Sequence, residues 1–363
     1  MRFGTLILAM ALLIPAIAIA KPEKSEKSEK PEKAEKAEKV VKEEKEDKEE
    51  KADKVKGKNE DEIKINTVLE VGFDINNRRG DKGYTRYNRI GYGKVELSAR
   101  PVKKVRAEFG FEYKDGDSSL TIDKLYGQYN FADFGGVRVG YMKKSFGLEE
   151  RAGVDERYFH KRSEINSEVE ELGVLDHDLT FQYRHKLAES LRLVGGFSWR
   201  QDTTYAWRHR YHQNYSVEYE TPKINLILAG IIGYYSRNDM IPWVTSLSFK
   251  YTSTLFVSES ELTFGKNPLA DTYLWGARLQ EYFPIETGLK TLRQVIPIAE
   301  AALYSNDMDS EYFEAQLRAG LTLGFAKNSA FQWRNTYGAR LRVIDGESEL
   351  RRRRFDSEVV VIF

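Results

Sequence analysis

Apolar and polar residues alternate along most of this chain, from Glu62 to its last residue, Phe363. Successive side chains of a β-strand point to opposite faces, so a period of two predicts strands with one apolar and one polar face. At 191–200, for example, Leu193 and Phe197 fall on one face and two arginines fall on the other. Turn-forming residues separate these runs and delimit sixteen predicted strands: 62–74, 88–100, 104–114, 118–131, 135–143, 177–186, 189–201, 211–220, 224–236, 243–252, 254–265, 271–283, 289–304, 310–325, 328–344 and 352–363.

The number of strands and the composition together predict the fold class. Sixteen is even, as a closed antiparallel barrel of this type requires, although the boundaries would also allow fourteen. The chain is polar on average, with a mean hydropathy of −0.57, yet 12% of its residues are aromatic. This combination is typical of a barrel with a wet interior and an apolar lipid-facing side. We therefore expect an all-β fold, a transmembrane antiparallel β-barrel of about 16 strands, preceded by a charged Lys/Glu-rich segment that is helical or disordered.

The chain ends in an alternating strand, "RRRRFDSEVVVIF". Its apolar residues Phe355, Val359, Val361 and Phe363 fall on one face. A barrel closes when its last strand pairs with its first, so we expect this strand to pair with 62–74. A terminal strand ending in Phe also resembles the C-terminal signal that barrel-assembly machinery recognises in outer-membrane proteins.

The connections between the predicted strands alternate in length. Short ones fall on one side, at 100–103, 186–189, 221–223, 252–254 and 326–329. Longer ones fall on the other side, at 75–87, 144–176, 202–210, 237–242 and 345–351. Short periplasmic turns and longer outer loops are typical of outer-membrane barrels, so we expect the N-terminal segment to lie in the periplasm.

The first sixty residues predict export followed by a linker. Residues 1–20 combine a basic start, an apolar run and a small-x-small end, which indicates a cleaved signal peptide rather than a membrane anchor. From Lys21 to Lys54 a lysine stands at every third position, with glutamates between. The predicted domains are therefore a signal peptide at 1–20, a Lys/Glu-rich periplasmic linker at 21–61 and an outer-membrane barrel at 62–363.

The linker has two interpretations. Glu-to-Lys pairs four residues apart favour a fluctuating helix, and the charge density equally suits an extended spacer. As a spacer it would contact peptidoglycan and tether the outer membrane to the cell wall, which gives a structural alternative to a transport function. As a low-complexity tail it would only be solvated.

Charge, cysteine and histidine content exclude several functional classes. The net charge is +1, from 57 basic and 56 acidic residues, which argues against a nucleic-acid partner. The chain has no cysteine and five histidines, so we expect no disulfide, no metal site and no cofactor. A scaffold for an electron-transfer partner has no support, because the chain contains no haem-binding motif.

Two neighbouring stretches resemble a known family. "VRVGYMKKSFGLEE" at 137–150 and "AEFGFEYKDGDSSLTIDKLYGQYNF" at 107–131 are similar to the phosphate-selective porin O and P family, and the likeness covers about 100–185. The resemblance implies a sixteen-stranded outer-membrane porin in a Gram-negative-type envelope, surrounded by outer-membrane lipids and usually assembled as a homotrimer. It further implies that the long third loop, here 144–176, folds inward and narrows the pore.

Candidate pore residues follow from the alternation and from that loop. An anion-selective pore needs basic side chains where the channel is narrow, and arginine suits phosphate through its planar donors. Alternation places nine arginines toward the lumen: Arg106, Arg138, Arg184, Arg192, Arg200, Arg278, Arg334, Arg340 and Arg342. The predicted constriction loop adds Arg151, Arg157, Lys161 and Arg162.

The charge of the loop leaves the permeating solute open. Residues 143–176 contain six Lys and Arg and nine Asp and Glu, a balance of −3. This balance favours a general or mildly anion-preferring pore for small solutes over one selective for phosphate or polyphosphate. The run Asp176-His177-Asp178 also allows a hydrolytic site, but the end of a loop is the simpler assignment, and we expect no enzyme and no catalytic residue.

Overall fold

The chain divides into two units, Met1–Asn59 and Glu60–Phe363, and only the second contains residues described here. The computed structural model describes residues 62–78, 84–114, 119–131, 134–153, 156–159, 161–175, 177–200, 210–235, 240–267, 271–308, 312–325, 330–344 and 347–363. The predicted signal peptide and linker lie outside these residues. None of the described helices is long and apolar enough to cross a bilayer.

The described residues form seventeen strands and two short helices. The strands are β1 (Glu62–Arg78), β2 (Tyr84–Val102), β3 (Val105–Lys114), β4 (Ser119–Phe131), β5 (Gly135–Lys143), β6 (His177–Lys186), β7 (Leu191–Arg200), β8 (Arg210–Glu220), β9 (Ile224–Tyr235), β10 (Trp243–Thr252), β11 (Val257–Asn267), β12 (Thr272–Tyr282), β13 (Ile285–Glu286), β14 (Gln294–Ser305), β15 (Phe313–Gly324), β16 (Phe331–Ile344) and β17 (Glu347–Ile362). The helices α1 (Leu148–Arg151) and α2 (Glu164–Glu171) lie between β5 and β6.

These strands form one closed antiparallel barrel with sixteen wall positions. Each strand pairs with its neighbour in sequence, and β17 pairs with β1. The short β13 continues β12 along the edge of β14, because Pro284 follows the last β12 pairs and cannot donate a ladder hydrogen bond. The prediction of sixteen strands is confirmed, and the alternative of fourteen is excluded.

The barrel closes at the seam that the last strand predicted. The pairing between β1 and β17 runs from Val68 opposite Ile362 to Arg78 opposite Arg352. Beyond it, the backbone N–H of Phe363 donates to the carbonyl of Thr67 at 2.8 Å. The predicted pairing of the C-terminal strand with the first strand is confirmed.

The two faces of the wall differ as the alternation predicted. On the outer face, Phe181, Leu247 and Val71 are 51%, 43% and 52% exposed. On the inner face, Gln182 and Ser248 are almost completely buried. Because outward and inward positions alternate residue by residue, each strand contributes an apolar outer row and a polar inner row. The residues Phe355, Val359, Val361 and Phe363 belong to the outer row.

Two of the predicted long connections are wrong. Strand β1 continues to Arg78 and β2 starts at Tyr84, so the connection predicted at 75–87 is mostly strand. Strand β17 starts at Glu347, which leaves two residues of the connection predicted at 345–351. On the short side, by contrast, 283–293 is long because it holds β13. Polar and charged residues at these ends, such as Asn76, Asn77 and Glu349, hid the strand extensions from the sequence pattern. Cross-strand pairing overrides the low β-propensity of such residues.

Candidate functional site

The segment between β5 and β6, hereafter the β5–β6 segment, lies inside the barrel in its described residues, 144–153, 156–159 and 161–175. Its Arg151 contacts Glu218 of β8 at 2.8 Å, and its Glu164 contacts Arg340 of β16 at 3.0 Å. Strands β8 and β16 are on opposite sides of a wall with sixteen positions. A short segment reaches both only through the interior of the closed barrel. The inward-facing side chains of the wall are therefore the surface on which this segment packs.

Apolar contacts attach the segment to one side of the wall. Phe146, Ile165, Val169, Leu172 and Leu175 belong to a buried cluster with inward-facing residues of β9, β10, β12 and β14. Strand β9, "INLILAGIIGYY", is apolar on both faces, which is unusual for a wall strand with a wet inner side. This pattern indicates that an apolar element covers the inner face of β9, which the alternation alone did not predict.

The motif "KKSFGLEE" forms the first turn of the segment. Gly147 has φ of 40°, in the left-handed region that favours glycine, and a Cβ there would lie 2.3 Å from Oε1 of Glu261. This close approach lets the backbone N–H of Leu148 donate to Oε2 of Glu261 at 2.8 Å. The N–H of Glu149 donates to the same oxygen at 3.3 Å. The glycine therefore brings the start of α1 onto β11.

Glu149 connects this turn with α2 and with the wall. Its carboxylate accepts hydrogen bonds from the backbone N–H and the hydroxyl of Ser163, each at 2.5 Å, and Ser163 is the N-cap of α2. Oε1 of Glu149 lies 3.8 Å from Nε of Arg278 and 3.9 Å from Nη2 of Arg318. Burial opposes ionisation of Glu149, but Arg278 and Arg318 more than offset it, and the pKa of the carboxyl lies below its usual range.

The shifted pKa of Glu149 predicts how the segment responds to acid. A carboxyl whose pKa is lowered on folding contributes stability above its unfolded value of about 4.3, and this contribution is lost as the pH falls through the lower folded value. Burial and Glu171 raise the pKa of Glu168. Ionisation of Glu168 therefore destabilises the folded segment as the pH rises above about 4.3. We expect steady channel currents from neutral pH to about 4.5 and increasing current noise below about 4.

Single-channel recording between pH 7 and pH 3 measures this acid response. In Glu149→Gln, which cannot ionise at this position, the noise should already be present at neutral pH and should change less on acidification. An acid-induced noise increase of equal size in both proteins would assign the effect to other carboxyls.

A second buried group lies where the segment leaves β5 and rejoins the wall at β6. Nζ of Lys144 lies 2.6 Å from Oδ2 of Asp178, and Nδ1 of His212 lies 3.1 Å from the same oxygen. All three side chains have 0% exposure. His177, next in sequence to Asp178, instead contacts Asp123 at 3.3 Å. The predicted Asp-His run is therefore divided between two different contacts; its first member, Asp176, lies outside the described residues.

The four predicted basic residues of the segment differ in their partners. Arg151 contacts Glu218 at 2.8 Å, and Arg162 contacts Glu150 at 3.0 Å, so their charges are neutralised. Among the described residues, neither Arg157 nor Lys161 has a carboxylate within ion-pair distance, and Nε of Arg157 is buried without a hydrogen-bond partner. Burial and the neighbouring Arg354 lower the pKa of Lys161, while burial and Arg162 lower the pKa of Arg157.

The nine predicted wall arginines share the inward-facing rows, and most of them contact acidic residues. The ion pairs join Arg106 to Glu108, Arg192 to Glu218, Arg278 to Glu300, Arg334 to Glu358, and both Arg340 and Arg342 to Glu314. Arg138 donates to Oε1 of Gln128 at 2.6 Å, and Arg200 is half-buried at the end of β7. The alternation that selected the arginines also placed these glutamates inward, a signal the sequence analysis did not use.

Arg184, like Arg138, has no ion pair with a described residue. Its Nε is buried without a hydrogen-bond partner, and no carboxylate of the described residues lies within ion-pair distance. It lines an interior cavity of about 310 Å³ bounded by β2, β4, β5, β6 and the β5–β6 segment. Seven Lys and Arg but only two Asp and Glu line this cavity. Five of these seven cations contact carboxylates, so Arg138 and Arg184 contribute most of the net attraction of this cavity for anions.

A second interior cavity, of about 440 Å³, lies between the segment and strands β9 to β15. Six Lys and Arg and three Asp and Glu line it, together with Tyr158, Phe159 and Tyr282. Within the described part of the chain, no group of three or more His, Asp or Glu side chains is arranged to hold a metal ion. The interior therefore offers charged and aromatic surface for solutes.

Comparisons with known proteins place the fold. No protein-family model matches the chain, and no curated protein matches it. Among solved structures, it is similar to the anion-selective porin from Comamonas acidovorans, with a TM-score of 0.61 and 11% identity over 84% of this chain and 100% of that one. It is similar to OmpF of Salmonella typhi in complex with daunomycin, with a TM-score of 0.62 and 11% identity over 84% of this chain and 98% of that one. It is also similar to DcaP, an outer-membrane channel of Acinetobacter baumannii, with a TM-score of 0.56 and 11% identity over 84% of this chain and 98% of that one.

At 11% identity these similarities show the fold, and they do not show a family or a solute. The resemblance to the phosphate-selective porin O and P family therefore stays a prediction. The closed barrel, its inward-folded segment and these likenesses together establish that the chain has the fold of the bacterial outer-membrane porins.

Proposed function

We propose that the protein is an outer-membrane porin, a water-filled channel for passive diffusion of small solutes and ions. One observation carries this proposal: a closed wall is apolar outside and polar inside, as at Leu247 and Ser248 of β10. An outer surface with this much exposed apolar area is stable in lipid and not in water. Charged inner rows and interior cavities give hydrated ions a path.

The β5–β6 segment is proposed as the constriction. It crosses the interior between β8 and β16, and it carries Arg157 and Lys161, which have no carboxylate of a described residue within ion-pair distance. Arg184 is the corresponding cation on the wall. With most other arginines compensated by glutamates, the interior suits a mild anion preference better than a dedicated phosphate channel. Selectivity for phosphate or polyphosphate remains the narrower alternative, carried by the family resemblance.

Neutralising these cations should reduce the anion preference. A unit charge about 4 Å from an ion changes its energy by ~1 kcal/mol in water-like surroundings, roughly a fivefold change in local concentration. The double variant Arg157→Gln, Arg184→Gln is therefore expected to lower the chloride-to-potassium permeability ratio by roughly twofold to fivefold. Reversal potentials in asymmetric KCl across planar bilayers measure this ratio.

The matched control is Arg353→Gln, which removes the same charge from an exposed position on β17. Its permeability ratio should equal that of the unmodified protein. A cation preference in the unmodified protein would contradict the anion proposal, and adding phosphate to the KCl tests the phosphate alternative.

Other parts of the proposal concern location and partners. OmpT of Vibrio cholerae, similar in fold with a TM-score of 0.57, was solved in a trimer form, and we propose a homotrimer here too. The C-terminal row ending in Phe363 is proposed to contact barrel-assembly machinery. The linker at 21–61 is proposed to lie in the periplasm; deleting it and measuring both conductance and envelope spacing separates a peptidoglycan tether from a passive tail.

A further inference from the structure

The larger interior cavity, between the β5–β6 segment and strands β9 to β15, is mostly neutral despite its many charged residues. Lys250 contacts Glu259 at 2.9 Å, and Arg278 contacts Glu300 at 2.9 Å. Arg318 also contacts Glu300. These cations are engaged by carboxylates of the wall. They therefore contribute little net attraction for a second anion.

Arg157 is the exception in this cavity. It lines the cavity, its Nε is buried, and that nitrogen has no hydrogen-bond acceptor among the described residues. Glu70 and Glu149 favour its charged form, but burial and the neighbouring Arg162 outweigh them, and the pKa of Arg157 lies below its usual range. A buried guanidinium donor without an acceptor is a destabilising arrangement, and an incoming anion would relieve it. Lys161, also on the cavity wall, adds a second cation without a carboxylate partner.

The surface beside Arg157 is aromatic. The rings of Tyr158 and Tyr282 lie 4.6 Å apart at 46°, and both residues line the cavity. Phe159 is 4% exposed and packs with Val257 and other inward-facing apolar residues. Aromatic rings prefer offset or tilted contacts with other rings. A solute that joins a carboxylate to a planar ring would satisfy both parts of this surface.

We propose that this cavity binds aromatic monocarboxylates during their passage, with the carboxylate on Arg157 and the ring against Tyr158 and Tyr282. The proposal rests on the porin function above and names a solute class for it. Inorganic phosphate has no apolar surface to place against these rings, and it would need several free donors where the described cavity provides few. The volume of about 440 Å³ is within the range of small-molecule sites.

The test uses single channels of the full-length mature protein in planar bilayers, with chloride current as the readout and sodium benzoate as the probe. Benzoate should reduce the current in a saturable manner. Cyclohexanecarboxylate, with the same charge and a non-planar ring, should block more weakly than benzoate. Phosphate, added to the same concentration of negative charge, should block least. Arg157→Gln should raise the half-blocking benzoate concentration by about tenfold or more, because a charge-assisted hydrogen bond is lost.

Two further variants separate the site from its general charge. Tyr158→Leu keeps both cations and should weaken benzoate block while leaving cyclohexanecarboxylate block nearly unchanged. Arg184→Gln removes a cation of the other cavity that has no ion pair with a described residue, and it should change the half-blocking benzoate concentration by less than about twofold. If Arg157→Gln does not insert, Arg157→Lys retains the charge, and its loss of planar donors should still weaken benzoate block.

The outcomes distinguish this inference from the proposed function. Channels that conduct but are blocked equally by benzoate and cyclohexanecarboxylate, or equally weakened by Arg157→Gln and Arg184→Gln, would overturn the aromatic carboxylate site and leave the porin intact. Correctly folded protein that forms no conducting channel would overturn the porin proposal itself.

Discussion

Replacing Gly72 with alanine is expected to prevent normal closure of the barrel. Gly72 lies in β1 opposite Glu358 of β17, and a Cβ at this position would be 2.2 Å from the carbonyl oxygen of Ser357 and 2.7 Å from Cα of Glu358. Both atoms belong to the backbone, so no side chain can rotate away. Strand β1 must shift against β17, at a cost at or above the upper end of the ~1–3 kcal/mol typical of overpacking.

The measurement is folding into detergent micelles or liposomes, followed by the heat-modifiable mobility of folded barrels on gels. Gly72→Ala should show a reduced folded fraction and unfold at lower urea concentration. Gly93→Ala is the matched control, because a Cβ on Gly93 of the neighbouring strand β2 meets nothing within 4 Å. Equal folded fractions for the two variants would show that the seam tolerates displacement of β1.

Replacing Glu149 with alanine is expected to detach the β5–β6 segment from the wall without opening the barrel. The variant removes the carboxylate that holds Ser163 at the start of α2. It also removes one of the anions near Arg278 and Arg318. Removing one member of a buried ion pair costs about 3–5 kcal/mol, and the lower end applies because Glu300 still contacts both arginines.

Single-channel conductance measures this detachment. Glu149→Ala should give larger and noisier open levels, because the proposed constriction is no longer held in one position, while the folded fraction on gels stays close to that of the unmodified protein. Glu171→Ala is the control, since it removes a carboxylate from an exposed position on the same α2 helix. Unchanged conductance in Glu149→Ala would contradict the assignment of this segment as the constriction.

Much of the wall followed from alternation alone, and the errors have a common origin. Runs such as "LRLVGGFSWR" gave the faces of β7 directly, and the last strand gave the seam. The ends of β1, β2 and β17 were missed because they contain polar and charged residues of low β-propensity, such as Asn76, Asn77 and Glu349. Those ends become strand because each backbone group finds a partner on the neighbouring strand, which local propensity does not report.

The interior was predicted less completely. The sequence located the long segment and its basic residues, but not their pairing. Arg151 and Arg162 are neutralised, whereas Arg157 and Lys161 have no carboxylate partner among the described residues. The doubly apolar strand β9 and the inward glutamates were both visible in the sequence. Recognising their role required knowing which element covers them.

By itself the sequence determined the kind of wall this protein has: antiparallel strands, an apolar outside, a polar inside and a seam between the first and last strands; the structure decided between fourteen and sixteen strands. The sequence could do so because side-chain direction in a strand repeats every two residues, which makes a face a local property. Only the tertiary structure decided the electrostatics of the interior. Glu149 meets Arg278 and Arg318 across more than a hundred residues of chain, and whether a cation is compensated depends on such long-range contacts, which no local pattern encodes.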